Sequence, residues 1–91
     1  VPIIESWIKS QLTYKFDGQN LSLVSSKEVS ANLYRFIYKF ESKYPGFGDR
    51  TGEAMEEATT NHLIEITAQS GRIIYALIDG RWDEIEQKLI Y

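Results

Sequence analysis

Four groups of residues in this 91-residue chain have types and spacings that could do chemistry. The first is His62, the single histidine, with Glu65 three residues on and Glu53, Glu56 and Glu57 ahead of it. On a helix, residues three apart share a face, so this set resembles half of a carboxylate-rich metal site. Such bundle sites use Glu-x-x-His, whereas the order here is His-x-x-Glu, and no second segment offers a matching pair. Three or four ligands must converge on a metal, so a packed, hydrogen-bonded histidine is the better reading; no metal and no cofactor is expected. A Ser–His–acid triad is available by composition, but no serine sits on the strand-to-helix elbow that presents such a nucleophile. There is no cysteine, so disulfides, thiolate ligands and a cysteine nucleophile are all excluded.

The second group is the loop "YPGFGDRTGEAM", Tyr44 to Met55. It lacks the lysine and the spacing of a phosphate-binding P-loop and the G-x-G-x-x-G of a dinucleotide fold. It could still hold an anion on Gly48, Arg50, Thr51 and Gly52, where N–H groups at a helix start join a bidentate guanidinium. The competing reading is a helix–helix connector with Phe47 tucked inward and Asp49 capping or pairing with Arg50.

The third group is a basic stripe of Arg35, Lys39 and Lys43, four residues apart, flanked by Tyr34 and Tyr38 with Phe36 and Phe40 turned inward. Cations beside exposed aromatics can meet an acidic protein patch, or phosphates and stacked bases. A plain solvated face is the bland alternative. The fourth group is acidic: Asp79, Asp83, Glu84 and Glu86 around Trp82. Carboxylates so placed can answer a basic partner, although acidic residues at helix N-termini also have a sufficient structural reason.

These groups need elements to position them. Ninety-one residues make one domain, residues 1–91, with a thin core. The composition, 43% hydrophobic and 25% charged, is that of a globular chain. Seven basic and five acidic side chains fall in residues 1–50, against three and eight in residues 51–91. The overall −3 argues against a purely electrostatic nucleic-acid partner. No apolar run approaches the ~20 residues of a membrane helix, so no membrane partner is expected, and a cytoplasmic setting suits a cysteine-free chain.

Residues 2–12 read as an amphipathic helix opened by Pro2. Leu12, Tyr14 and Phe16, then Leu21 and Leu23, alternate around Asp17-Gly18-Gln19-Asn20 and predict a β-hairpin. Ser25-Ser26-Lys27-Glu28 has capping-box spacing ahead of a helix over 27–44 carrying Val29, Leu33, Phe36, Ile37, Phe40 and Tyr44. A further helix is expected from Asp49 or Thr51 towards Gln69, through Met55, Thr59, His62, Leu63 and Ile66. "IIYALI", 73–78, fits a helix turn or a strand. One alternative is a hairpin joining Leu63–Thr67 to Arg72–Ile78. The other follows from "ALIDGRWDEIEQKLI": Ala76, Gly80, Trp82, Glu84–Ile85 and Leu89 resemble the inner turn of a tetratricopeptide-type repeat. That resemblance implies a C-terminal helix–turn–helix, with Trp82, Ile85 and Leu89 as its buried stripe. No second copy follows at a period of ~34, so no repeat array is implied.

The expected fold is therefore mostly α with a small N-terminal β-hairpin: one compact α+β domain of four to five short helices. The expected function is a small non-enzymatic protein-interaction or regulatory domain, an inhibitor or adaptor of a charged partner. Its contacts would come from Tyr34, Arg35, Tyr38, Lys39 and Lys43 on one side and Trp82, Asp83 and Glu84 on the other. Another protein is the favoured partner, with self-association as a variant. A nucleic-acid-binding module on the basic–aromatic face is the alternative.

Overall fold

A computed structural model describes residues 1–90. Two short helices, α1 (Pro2–Ser10) and α2 (Leu12–Asp17), precede six strands. These are β1 (Gly18–Ser30), β2 (Leu33–Ser42), β3 (Thr60–Gln69), β4 (Arg72–Ile78), β5 (Trp82–Asp83) and β6 (Lys88–Leu89). The strands form one antiparallel sheet in sequence order, a meander. The helix-rich expectation is thus overturned, and with it the description of the chain as a helical domain.

The helix expected over 2–12 forms over Pro2–Ser10 and buries Ile4 and Ile8, one turn apart. The rest of the helical reading fails for one physical reason. In 33–42, Leu33, Phe36, Ile37 and Phe40 fit a helical stripe, but Phe36, Tyr38, Phe40 and Ser42 fit a strand equally well. Tyr, Phe and Ile favour the pleated surface, and the strand wins. The capping-box serines lie inside β1, and Asn32, at φ 61°, turns the chain between β1 and β2. The hairpin predicted around Gly18 is replaced by α2 running directly into β1; a Cβ on Gly18 would stand 2.3 Å from the Tyr14 ring, so only glycine fits that corner.

Residues 60–69, expected to be helical, alternate instead, with His62, Ile64, Ile66 and Ala68 inward. The β3–β4 hairpin alternative is the one that forms, turning on Ser70-Gly71 with both residues at positive φ (50° and 80°), the primed-turn geometry that matches strand twist. The C-terminal helix–turn–helix does not exist: Ala76 lies on β4, Trp82 on β5 and Leu89 on β6, so the likeness to a tetratricopeptide turn is one of residue spacing only.

The helices cover one face of the sheet. Ile4 and Ile8 meet Phe36, Tyr38 and Phe40 of β2, Ile64, Ile66 and Ala68 of β3, and Ala76 and Ile78 of β4. Fully burying each large apolar side chain contributes about 1.5–3 kcal/mol. The opposite face has no covering layer. None of the helices among the described residues is long and apolar enough to cross a membrane.

Tyr38 is wholly buried, and its hydroxyl lies 3.0 Å from Glu5 on α1. Burial first, then the Glu5 carboxylate, push its phenol up to about 12 from 10.0. The folded state therefore holds this proton more tightly than the unfolded chain does. Its contribution is intact below pH 10 and disappears as pH rises from 10 to about 12. Urea midpoints measured below and within that window should fall for the wild type, and fall less for Tyr38→Phe.

Candidate functional site

The glycine loop is organised from within by Arg50, of which only 2% is exposed. Its Nε donates to Gly48 O (3.1 Å) and its Nη1 to Tyr44 O (3.0 Å) and Gly46 O (3.3 Å). Nη2 donates to Thr13 O (3.0 Å) and to Asp17 Oδ1 (2.9 Å). A guanidinium has five N–H donors, and all five are used. The Phe16 ring covers it at 4.7 Å. Gly48 donates its N–H to Thr13 Oγ1 (2.6 Å), and a Cβ there would press on Trp82 at 3.0 Å. Thr51 and Gly52 are exposed, and Thr51 donates its N–H to Asp49. The hydroxyl and N–H of Thr51 hold the Asp49 carboxyl below its ordinary range. The four residues proposed to hold an anion are thus split: Gly48 and Arg50 face inward with their donors occupied, and Thr51 and Gly52 face solvent. The loop is a strap fastening α2 to the sheet.

Glu84 closes the same corner. It is 1% exposed and accepts from Thr13 N (3.0 Å), Thr13 Oγ1 (2.7 Å) and Trp82 Nε1 (2.8 Å). Trp82 stacks on Phe47, centroids 5.5 Å apart and planes 10° from parallel. Asp83 accepts the N–H groups of Ile85 and Glu86 and shapes the β5–β6 turn. Trp82 and Glu84 therefore bind each other and α2. Asp83 alone of the three directs its residue position towards the uncovered face, opposite Leu77.

A second polar chain links Ser42, His62 and Asp79. His62 Nδ1 donates to Asp79 Oδ2 (2.6 Å), and His62 Nε2 lies 2.9 Å from Ser42 Oγ. This is the connectivity of a nucleophilic triad. Yet Ser42 has no exposed surface, and its hydroxyl also meets Tyr44 O at 2.7 Å. A substrate carbonyl has no approach to that oxygen. The chain instead ties the end of β2 to the β4–β5 turn, where Asp79 also accepts Leu63 N (2.8 Å). Glu65, paired with His62 in the sequence reading, points to the opposite face of β3. Among the described residues no three His, Asp or Glu side chains converge as metal ligands.

The basic–aromatic stripe divides by strand parity. Tyr34 and Tyr38 lie on the side of β2 that carries the core, Tyr38 fully inside and Tyr34 exposed beyond the helices near the hairpin tip. Arg35 and Lys39 point to the uncovered face, and Lys43 follows the end of β2, exposed. Opposed residues in an antiparallel ladder share a face, so the register gives the rows of that surface. One row is Ser22, Lys39 and Leu63; the next is Ser25, Ile37, Glu65, Leu77 and Asp83; the third is Lys27, Arg35, Thr67 and Tyr75. Leu63 is 52% and Tyr75 42% exposed, beside half-buried Ile37 and Leu77. Ile37, Leu63, Glu65, Leu77, Asp79 and Gly80 line a hollow of about 190 Å³ there. Arg35 reaches Glu65 at 3.2 Å across the β2–β3 seam.

The helical reading missed Ile37, Leu63, Tyr75 and Leu77 as one surface. The signal that finds them is the strict alternation of β2 and β3. Compared with protein-family models, with curated proteins and with solved structures, the chain matches none.

Proposed function

We propose that the chain is a small non-enzymatic protein-interaction or regulatory domain of the cytoplasm, and that the uncovered sheet face is its contact surface. The observation that carries this reading is the apolar set of Ile37, Leu63, Tyr75 and Leu77 on a face with no covering layer, with Arg35 and Lys39 along its β2 side and Glu65, paired with Arg35, in its midst. Contiguous exposed apolar surface inside a polar rim is the usual anatomy of a protein contact. The residues of the sequence reading that serve it are Arg35 and Lys39. Tyr38, Trp82 and Glu84 act inside the protein.

Leu63→Lys places a charge on the most exposed apolar residue of the patch without touching the core, so it should remove partner binding and leave the thermal midpoint nearly unchanged. A tagged pull-down from the native source, nuclease-treated, compares the two proteins. A partner retained by the wild type and lost by Leu63→Lys is expected. Equal capture by both would refute the reading.

One observation favours nucleic acid as a second reading: Lys27, Arg35 and Tyr75 share a row, with Lys39 in the next. Cations beside an exposed aromatic suit a single strand. Recovery that vanishes with nuclease would select it.

A further inference from the structure

The uncovered face has a symmetry that identifies its occupant. Ile37 and Leu77 flank Glu65 on either side of β3, in one row. Lys39 on β2 and Asp79, just past the end of β4, likewise stand either side of Leu63, since Lys39 pairs with Leu63 and Asp79 N donates to Leu63 O (2.8 Å). The Asp79 carboxylate is held by His62 and by Leu63 N, yet its side chain is 29% exposed and lines the same hollow. Arg35 and Tyr75 stand either side of Thr67. Across β3, therefore, each row sets an apolar residue against an apolar one, a cation against an anion, or a cation against an aromatic ring.

We propose that this face binds a second copy of the same chain, face to face, about a two-fold axis running along β3. The inference rests on the reading of the face as a contact surface and adds the identity of the partner. A two-fold axis in the interface plane and parallel to the strands exchanges the β2 side of one copy with the β4 side of the other. Ile37 then meets Leu77 of the second copy, Lys39 meets Asp79, Arg35 meets the face of Tyr75, and Leu63 meets Leu63. An axis across the strands, through the Glu65 row, would set Lys39 of one copy against Arg35 of the other and leave Asp79 facing no cation, and the charges reject it. Aligned sheet-on-sheet packing, with strands within about 30°, is an ordinary way for two sheets to bury their faces.

The charges that do not fit lie at the rim or are already paired. Glu41 is at the end of β2 and takes a hydrogen bond from Asn20 (2.8 Å), Arg72 starts β4, and Lys88 is on the outermost strand. Glu65 falls on the axis itself. Each copy brings its own Arg35 to that carboxylate, so two cations and two anions meet there.

Residue 63 opposite itself is the feature that no other occupant reproduces, and it sets the test. Sedimentation equilibrium of the wild type should show a monomer–dimer equilibrium. Leu63→Lys should be monomeric, because it sets two cations together on the axis beside Lys39 of each copy, whereas Leu63→Glu, flanked by Lys39 as Glu65 is by Arg35, should weaken the dimer less. Mixed in equal amounts, they should recover a dimer containing one of each. Lys39→Glu, at an exposed position whose side chain makes no ion pair among the described residues, should raise the dimer dissociation constant roughly tenfold or more, since the unfavourable contact occurs twice. Melting curves establish that each variant is folded. A wild type that stays monomeric, or a dimer that Leu63→Lys preserves, would overturn the proposal; so would a failure of the mixed variants to pair. A monomeric wild type whose captured heterologous partner is lost on Leu63→Lys would overturn the second copy alone and leave the contact surface standing. Capture unaffected by Leu63→Lys would remove both.

Discussion

Arg50→Met is expected to be the most damaging single substitution in the chain, costing about 3–5 kcal/mol of stability. That is a large part of the 5–15 kcal/mol typical of a whole domain. The guanidinium binds the carbonyls of Thr13, Tyr44, Gly46 and Gly48 and the carboxylate of Asp17, whose side chain is 5% exposed. Methionine fills the volume but strands those acceptors. Asp17 keeps only the Tyr44 N–H, at 2.8 Å, as a partner for a buried negative charge. Arg50→Lys should recover less than half of the loss. An ammonium has three donors on a flexible stem and cannot span a fork that reaches both α2 and the loop. Urea unfolding followed by tryptophan fluorescence measures both, because Trp82 reports the same corner. A Met variant within about 1 kcal/mol of the wild type would contradict this account of the loop, since losses that small are typical of surface positions and exposed ion pairs.

Glu84→Ala should cost about 3 kcal/mol, each hydrogen bond to a charged group being worth about 1.5–3 and the three acting as a unit. It leaves Thr13 N, Thr13 Oγ1 and Trp82 Nε1 without their acceptor in a buried place. Glu84→Gln is the informative companion. All three groups are donors towards this carboxylate, which has only acceptors to offer: Oε1 takes the Thr13 N–H, and Oε2 takes the Thr13 hydroxyl and the Trp82 N–H. The amide nitrogen of glutamine must therefore face a donor whichever way it is flipped. Glu84→Gln should retain part of the stability, at about half the cost of alanine, with Trp82 emission shifted in both variants. A Gln variant as stable as the wild type would mean that one of the three donors has another acceptor.

The two predictions concern contacts that pattern reading could not assemble. Arg50 and Asp17 are 33 residues apart, and Thr13 and Glu84 are 71 apart. Nothing local in "PGFGDRTG" says that a lone arginine turns inward, since arginine is seldom fully buried unless paired. Ser42, His62 and Asp79 come together only through the register of β2 with β3 and the tight return after β4. Once β3 is taken as a helix, His62 and Glu65 share a face; as a strand they oppose each other.

Other features were within reach of the sequence. The N-terminal helix follows from Pro2 and the spacing of Ile4 and Ile8. The β3–β4 hairpin was open as one of two alternatives, and Ser70-Gly71 is its turn chemistry, with both residues at positive φ; Asp79-Gly80 does the same for the β4–β5 turn. The strand β2 was legible in part. Its apolar residues satisfy periods of both 3.6 and 2, and the enrichment in Tyr, Phe and Ile was the evidence to weigh against a capping-box signature. Of the interaction residues, Arg35 and Lys39 share a face under either period, because positions four apart do so in a helix and in a strand. Tyr34 and Tyr38 share the opposite one.

The central claim is that the uncovered sheet face makes the protein's contacts. Methyl NMR spectra of the free and the fully bound protein test it most directly, bound meaning self-associated or saturated with a captured partner. Ile37, Leu63 and Leu77 should shift strongly while Ile4 and Ile8, under the helices, stay in place. Shifts confined to the helical side, or spread with no preference for that face, would contradict it.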